Sequence, residues 1–130
     1  MTETALKSTS TFPAVALKVL IAGGGTGGHL FPGIAIAQEL QKRYPSVEVR
    51  FLGTGRRLES RILKEAGYAH TQLPISGLKG ITGIKLFKSL LRIPWSLWVA
   101  SKIVREFRPS IVIGLGGYSS GPPLLAASLW

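Results

Sequence analysis

The feature that most constrains this chain is a pair of glycine-rich turns, each fed by a short apolar run. Val19-Leu20-Ile21-Ala22 leads into Gly23-Gly24-Gly25-Thr26-Gly27-Gly28-His29, and Ile111-Val112-Ile113 leads into Gly114-Leu115-Gly116-Gly117-Tyr118-Ser119-Ser120-Gly121. Each reads as a strand entering a turn that opens a helix. Such a junction exposes backbone N–H groups at the positive end of the helix dipole, which suits an anion. Glycine there lets the backbone visit φ > 0 and approach a ligand closely. The expectation is that both turns face one cleft and hold a phosphorylated ligand.

The rest of the chain alternates strand and helix. After the strand Lys18–Ala22, Pro32 is expected in the first turn of a helix that Pro45 stops. Val47, Val49, Phe51 and Leu52 make a second strand, and residues 58–66 a short helix that Gly67 ends. Residues 71–75 make a third strand, followed by a weaker glycine loop at 76–80. A helical stretch over Ile84–Phe107 is expected to break at Pro94. Residues 110–115 make a fourth strand, and Pro122-Pro123 open a last helix over 124–130. This order predicts an open, parallel, Rossmann-like α/β sheet with helices on both faces. Residues 1–17 read as a disordered leader, and 18–130 as the folded domain. Residues 1–17 contain no Arg and one Glu, a poor match to an organelle transit peptide. A doubly wound domain wants one or two more strands, so the sequence is expected to be incomplete.

Sixteen Lys and Arg against six Asp and Glu give a net charge of +10, which favours an anionic partner. With no cysteine there are no disulfides, thiolate nucleophiles or thiolate metal sites. Two histidines and six acids argue against a zinc or calcium centre. No metal and no cofactor are expected.

Gly23-x-Gly25-x-x-Gly28 matches the dinucleotide fingerprint literally. That fingerprint also wants an acid after the second strand, and Leu52-Gly53-Thr54 has none. A P-loop wants Gly-Lys-Ser/Thr, and here Gly28 is followed by His29 and Leu30. What remains is a phosphate-binding turn with a histidine at its exit, against a tight turn with no ligand. Five glycines in six residues exceed what a turn needs. His29 at a helix start can be a neutral imidazole that accepts a proton, or a structural histidine. His70, with no acidic neighbour in sequence, reads as structural. Tyr118, Ser119 and Ser120 read as ligand contacts rather than packing.

On a helical wheel, the stretch from Ile84 to Trp98 has an apolar arc of roughly 200°, twice what a helix lying on a sheet requires. Phe87, Leu91, Trp95 and Trp98 belong to it, with Lys85, Lys88 and Arg92 beside the Trp95 edge. Tryptophan with basic neighbours suits an anionic membrane surface. The recurrent charges exclude a spanning helix. A doubly buried helix, or a face meeting another domain, is the alternative. Nucleic acid fits less well, because no long basic stripe forms.

Together, residues 24–33 (Gly-Gly-Thr-Gly-Gly-His-Leu-Phe-Pro-Gly), 76–80 (Ser-Gly-Leu-Lys-Gly) and 116–122 (Gly-Gly-Tyr-Ser-Ser-Gly-Pro) resemble the peptidoglycan N-acetylglucosaminyltransferases of glycosyltransferase family 28. The likeness runs from about residue 18 to 130 and covers only the N-terminal, acceptor-side half of a two-domain GT-B enzyme. It implies inverting transfer of N-acetylglucosamine from UDP-GlcNAc to the 4-hydroxyl of the muramoyl sugar of lipid I. It implies that Gly24, Gly25, Gly116, Gly117, Tyr118 and Ser119 bind the acceptor pyrophosphate and that Thr26, Gly27 and Gly28 touch the donor. It ties His29 to acceptor binding or catalysis, and makes Lys85, Phe87, Lys88, Leu91, Arg92, Trp95 and Trp98 a membrane contact on the cytoplasmic face of the plasma membrane. A C-terminal donor domain, or a separate donor-binding chain, is then a required partner. Two rivals stand beside it: a non-catalytic membrane-anchoring subunit of a split glycosyltransferase, and a free-standing nucleotide-binding module.

Overall fold

The computed structural model describes residues 16–24, 27–75 and 83–130. The element order is β1 (Lys18–Ala22), α1 (Gly27–Arg43), β2 (Glu48–Gly53), α2 (Arg57–Glu65), β3 (Ala69–Gln72), α3 (Ile84–Phe107), β4 (Ile111–Gly114) and α4 (Gly121–Leu129). The four strands form one sheet in the order β3-β2-β1-β4, and every pairing is parallel. β1 is central, and Val19, Leu20, Ile21 and Ala22 have no exposed surface. A parallel strand covered on both faces accounts for this unbroken apolar run.

Alternate residues of β1 feed two separate cores. Val19 and Ile21 pack with Leu30, Ile34 and Ala37 of α1 and Leu63 of α2 on one face. Leu20 and Ala22 pack with Ala100, Val104 and Phe107 of α3 and Ala126 of α4 on the other. Burying each of these larger aliphatic side chains stabilises the fold by about 1.5–3 kcal/mol. Tyr68 closes the first core. Its phenol donates to Gln41 Oε1 at 2.9 Å, and burial pushes its pKa above the ordinary 10.0.

Several expectations need correcting. α1 begins at Gly27, so Pro32 lies in its second turn rather than its first. The glycine turn runs directly into the helix, which therefore starts earlier than the proline. α3 runs unbroken from Ile84 to Phe107 with Pro94 inside it. Proline cannot donate to the carbonyl of Leu90, but the packing of Ser96, Ala100 and Val104, each buried, holds the helix together beyond it. The helix ends at Arg108, left-handed at φ 51°, just before Pro109. β3 spans Ala69–Gln72 rather than 71–75, because its ladder to β2 ends where Gly53 pairs with Gln72. Residues 1–15, which hold most of the expected leader, and the loop 76–80 lie outside the described residues.

Candidate functional site

In this sheet β1 is followed by β2 on one side, and the chain returns to place β4 on the other. The carboxyl ends of β1 and β4 therefore flank a topological switch point, where open α/β sheets bind ligands. Both glycine turns leave from that place. Leu115 N–H donates to Ala22 O at 2.8 Å, and Gly23 N–H to Leu52 O at 3.0 Å, so each turn continues the ladder before departing from it. The two turns touch. A Cβ built on Gly117 would lie 3.8 Å from the Gly24 carbonyl oxygen. Gly116 and Gly117 have φ of 95° and 78°, which glycine alone adopts without strain.

His29 is the third residue of α1 and half-buried. A Cβ on Gly116 would lie 3.4 Å from both its Cδ2 and Nε2. The imidazole of the first turn thus stands against the backbone of the second. Gly28 is exposed in the first turn of α1, where helical N–H groups lack intrahelical partners. Gly27 opens that helix. Gly25 and Thr26 lie outside the described residues.

The second turn is more internally bonded than its sequence suggests. Ser120 Oγ donates to Gly117 O at 2.9 Å, so this hydroxyl closes the turn instead of facing a ligand. Ser119 is fully buried, and its Oγ has no hydrogen-bond partner among the described residues. Tyr118 is half-buried between them. With no exposed surface, Ser119 is packed inside the turn, against the expectation of a ligand contact.

Sequence reading missed Glu59. It comes from α2 and is 3% exposed. Its Oε2 accepts from Thr54 N–H at 3.3 Å and Thr54 Oγ1–H at 2.8 Å. A Cβ on Gly24 would come within 2.7 Å of the carboxylate, and one on Gly53 would overlap Oε1. At Gly24 the missing side chain makes room for Glu59, and φ is not positive there. Glu59 is in phase with buried Leu63, four residues on; an acid on the core face of a short helix was the available signal. His70, expected to be structural, lies with its Nε2 3.0 Å from Ser60 Oγ of α2.

The apolar surplus of α3 lies at the surface. Phe87, Leu91, Trp95 and Trp98 are each more than half exposed, and Lys88 and Arg92 are exposed beside them. Trp95 and Trp98 stack with centroids 5.0 Å apart. The Lys85 side chain is outside the described set. No described helix is long and apolar enough to cross a membrane. Among the described residues no cluster of three or more His, Asp or Glu could hold a metal ion.

The model of the glycosyltransferase family 28 N-terminal domain matches residues 19–130. The chain belongs to that family. Within glycosyltransferase family 28, it is 49% identical over 115 residues to the UDP-N-acetylglucosamine--N-acetylmuramyl-(pentapeptide) pyrophosphoryl-undecaprenol N-acetylglucosamine transferase of Syntrophus aciditrophicus, covering 88% of this chain and 32% of the relative. The protein of the same name in Geobacter sp. strain M21 is 50% identical over 111 residues, covering 85% and 30%. The crystal structure of Acinetobacter baumannii MurG superposes with a TM-score of 0.73 at 33% identity, covering 87% of this chain and 32% of that one. A Rickettsia africae glycosyltransferase, at 12% identity and TM-score 0.58 over 89% of this chain and 28% of its own, shares the fold. The chain spans about a third of the length of these relatives.

Proposed function

We propose that this chain is the acceptor-side domain of an N-acetylglucosaminyltransferase acting on N-acetylmuramyl-(pentapeptide) pyrophosphoryl-undecaprenol. The single observation that carries the reading is the meeting of the two glycine turns, with His29 against Gly116, at the switch point of the sheet. Gly116, Gly117 and the start of α1 offer backbone N–H groups to the acceptor pyrophosphate. Gly28, exposed in the first turn of α1, contacts the donor, UDP-N-acetylglucosamine, which a further domain or chain holds.

In the reaction the acceptor hydroxyl oxygen attacks the anomeric carbon of the donor sugar. The bond from that carbon to the UDP oxygen breaks, and the electron pair leaves with UDP. The hydroxyl proton goes to the His29 imidazole, the histidine that stands against Gly116 of the second turn. The exposed face of α3 at Phe87, Lys88, Leu91 and Trp98 rests on anionic lipid at the cytoplasmic side of the plasma membrane and brings the turns to a lipid-borne substrate.

Titration of the isotope-labelled chain with inorganic pyrophosphate tests the site. Saturable amide shifts at Gly116, Gly117 and His29 are expected. Unmoved amides at those positions overturn the reading, and so does micromolar affinity of this chain alone for UDP-N-acetylglucosamine. A second reading, a membrane-anchoring subunit without catalysis, is favoured by the α3 face alone and gives no role to His29.

A further inference from the structure

A cavity lies at the carboxyl end of the sheet, where β2 and β3 end. It measures about 440 Å³ and is walled by Thr54, Gln72, Leu73, Pro74, Ile75, Arg92 and Trp95. That volume lies within the ~300–1,000 Å³ usual for small-ligand sites.

Its walls are held in place by specific bonds. Buried Glu59 takes both the backbone N–H and the hydroxyl proton of Thr54. Gly55, at φ 73°, leaves room for the Gln72 side chain, which any Cβ there would overlap. Buried Ser96 donates to Pro74 O at 3.0 Å and ties α3 to the exit of β3. Trp95 is braced by its stack on Trp98. Arg92 makes no ion pair among the described residues, although it lines the cavity.

The donor and acceptor pattern selects the ligand. Arg92 supplies only donors. Thr54 has given its hydroxyl proton to Glu59, so its oxygen can only accept. Gln72 does both. A phosphodiester, which carries acceptors alone, meets the wrong polarity at Thr54 Oγ1. A peptide carries N–H donors, carbonyl acceptors and a carboxylate, and its aliphatic parts can lie on an indole. We infer that this cavity binds the peptide arm of the acceptor, with a carboxylate on Arg92 and a peptide N–H on Thr54 Oγ1. The inference rests on the acceptor assignment above. Gly24 and Thr54 both touch Glu59, so the pyrophosphate and peptide sites share a wall.

The indole N–H resonance of Trp95, assigned with Trp95→Phe, gives a direct readout in the 130-residue chain. The pentapeptide of the acceptor, without sugar, pyrophosphate or lipid, is expected to shift it saturably. Arg92→Ala, at an exposed position, should weaken that binding roughly tenfold or more, with Arg92→Lys in between. A peptide that leaves Trp95 unmoved, or binds Arg92→Ala as well as the parent, overturns the inference. So does a shift produced by phosphatidylglycerol vesicles and not by the peptide, which makes the cavity a headgroup site. Inorganic pyrophosphate should move Gly116 and Gly117 without moving Trp95. If pyrophosphate moves neither glycine while the peptide still shifts Trp95, the cavity stands as a peptide site and the acceptor is removed as the peptide's source.

Discussion

The carboxylate of Glu59 occupies the space that a side chain on Gly53 would need. β2 ends at that glycine, and the first glycine turn passes over the same carboxylate at Gly24. Gly53→Ala should therefore destabilise the chain by about 1–3 kcal/mol through overpacking. In a Glu59→Ala background, with the carboxylate gone, the added cost of Gly53→Ala should shrink, giving the coupling of about 0.5–3 kcal/mol that residues in contact show. Urea unfolding of the two single variants and the double variant measures the coupling. Equal costs in both backgrounds would disprove the steric origin.

His29→Ala, made in a full-length enzyme carrying this domain, should lower turnover by roughly 10²–10⁴, the usual contribution of a positioned general base. The side chain is only half-buried, so the loss of turnover should far exceed any change in stability. Steady-state kinetics beside thermal unfolding separates the two effects. Turnover near the parent value removes His29 from the proton transfer.

Phe87→Ser combined with Lys88→Glu should weaken binding to anionic vesicles. One basic residue near such a surface contributes about 1 kcal/mol, so the reversal at exposed Lys88 alone predicts a loss of about tenfold or more. Sedimentation with vesicles of rising salt should show the parent's binding decline with ionic strength. Vesicle affinity unchanged in the double variant argues that this face meets protein instead.

Pro94→Ala should raise stability by roughly 1–3 kcal/mol, because α3 is helical on both sides of Pro94 and alanine restores a backbone donor. A higher midpoint in thermal unfolding is the expected sign. A lower one means that the helix depends on its proline for shape.

Tyr68→Phe should cost about 0.5–1.5 kcal/mol near neutral pH through loss of the bond to Gln41. Burial raises the Tyr68 pKa in the folded chain above 10.0. Its stabilisation is complete below the unfolded value and fades as pH climbs from there through the folded value. Unfolding followed from pH 8 upward should show a shallower alkaline decline in the variant than in the parent.

The alternation of strand and helix was readable because β1 and the glycine turns carry dense local signals. His29 was legible for the same reason: it stands inside the motif. Glu59 was not, since its partners Gly24, Gly53 and Thr54 come from two other elements, and a carboxylate in a helical run ordinarily reads as solvated. Pro94 misled because a local rule was overridden by packing further along the helix. Ser120 misled because a hydroxyl in a glycine turn can serve the turn itself, as its bond to Gly117 shows.

One hydroxyl joins α3 to the segment leaving β3, Ser96 Oγ to Pro74 O. Pro74 and Trp95 line the same cavity, so a displacement of α3 that keeps this bond would carry both of its facing walls together.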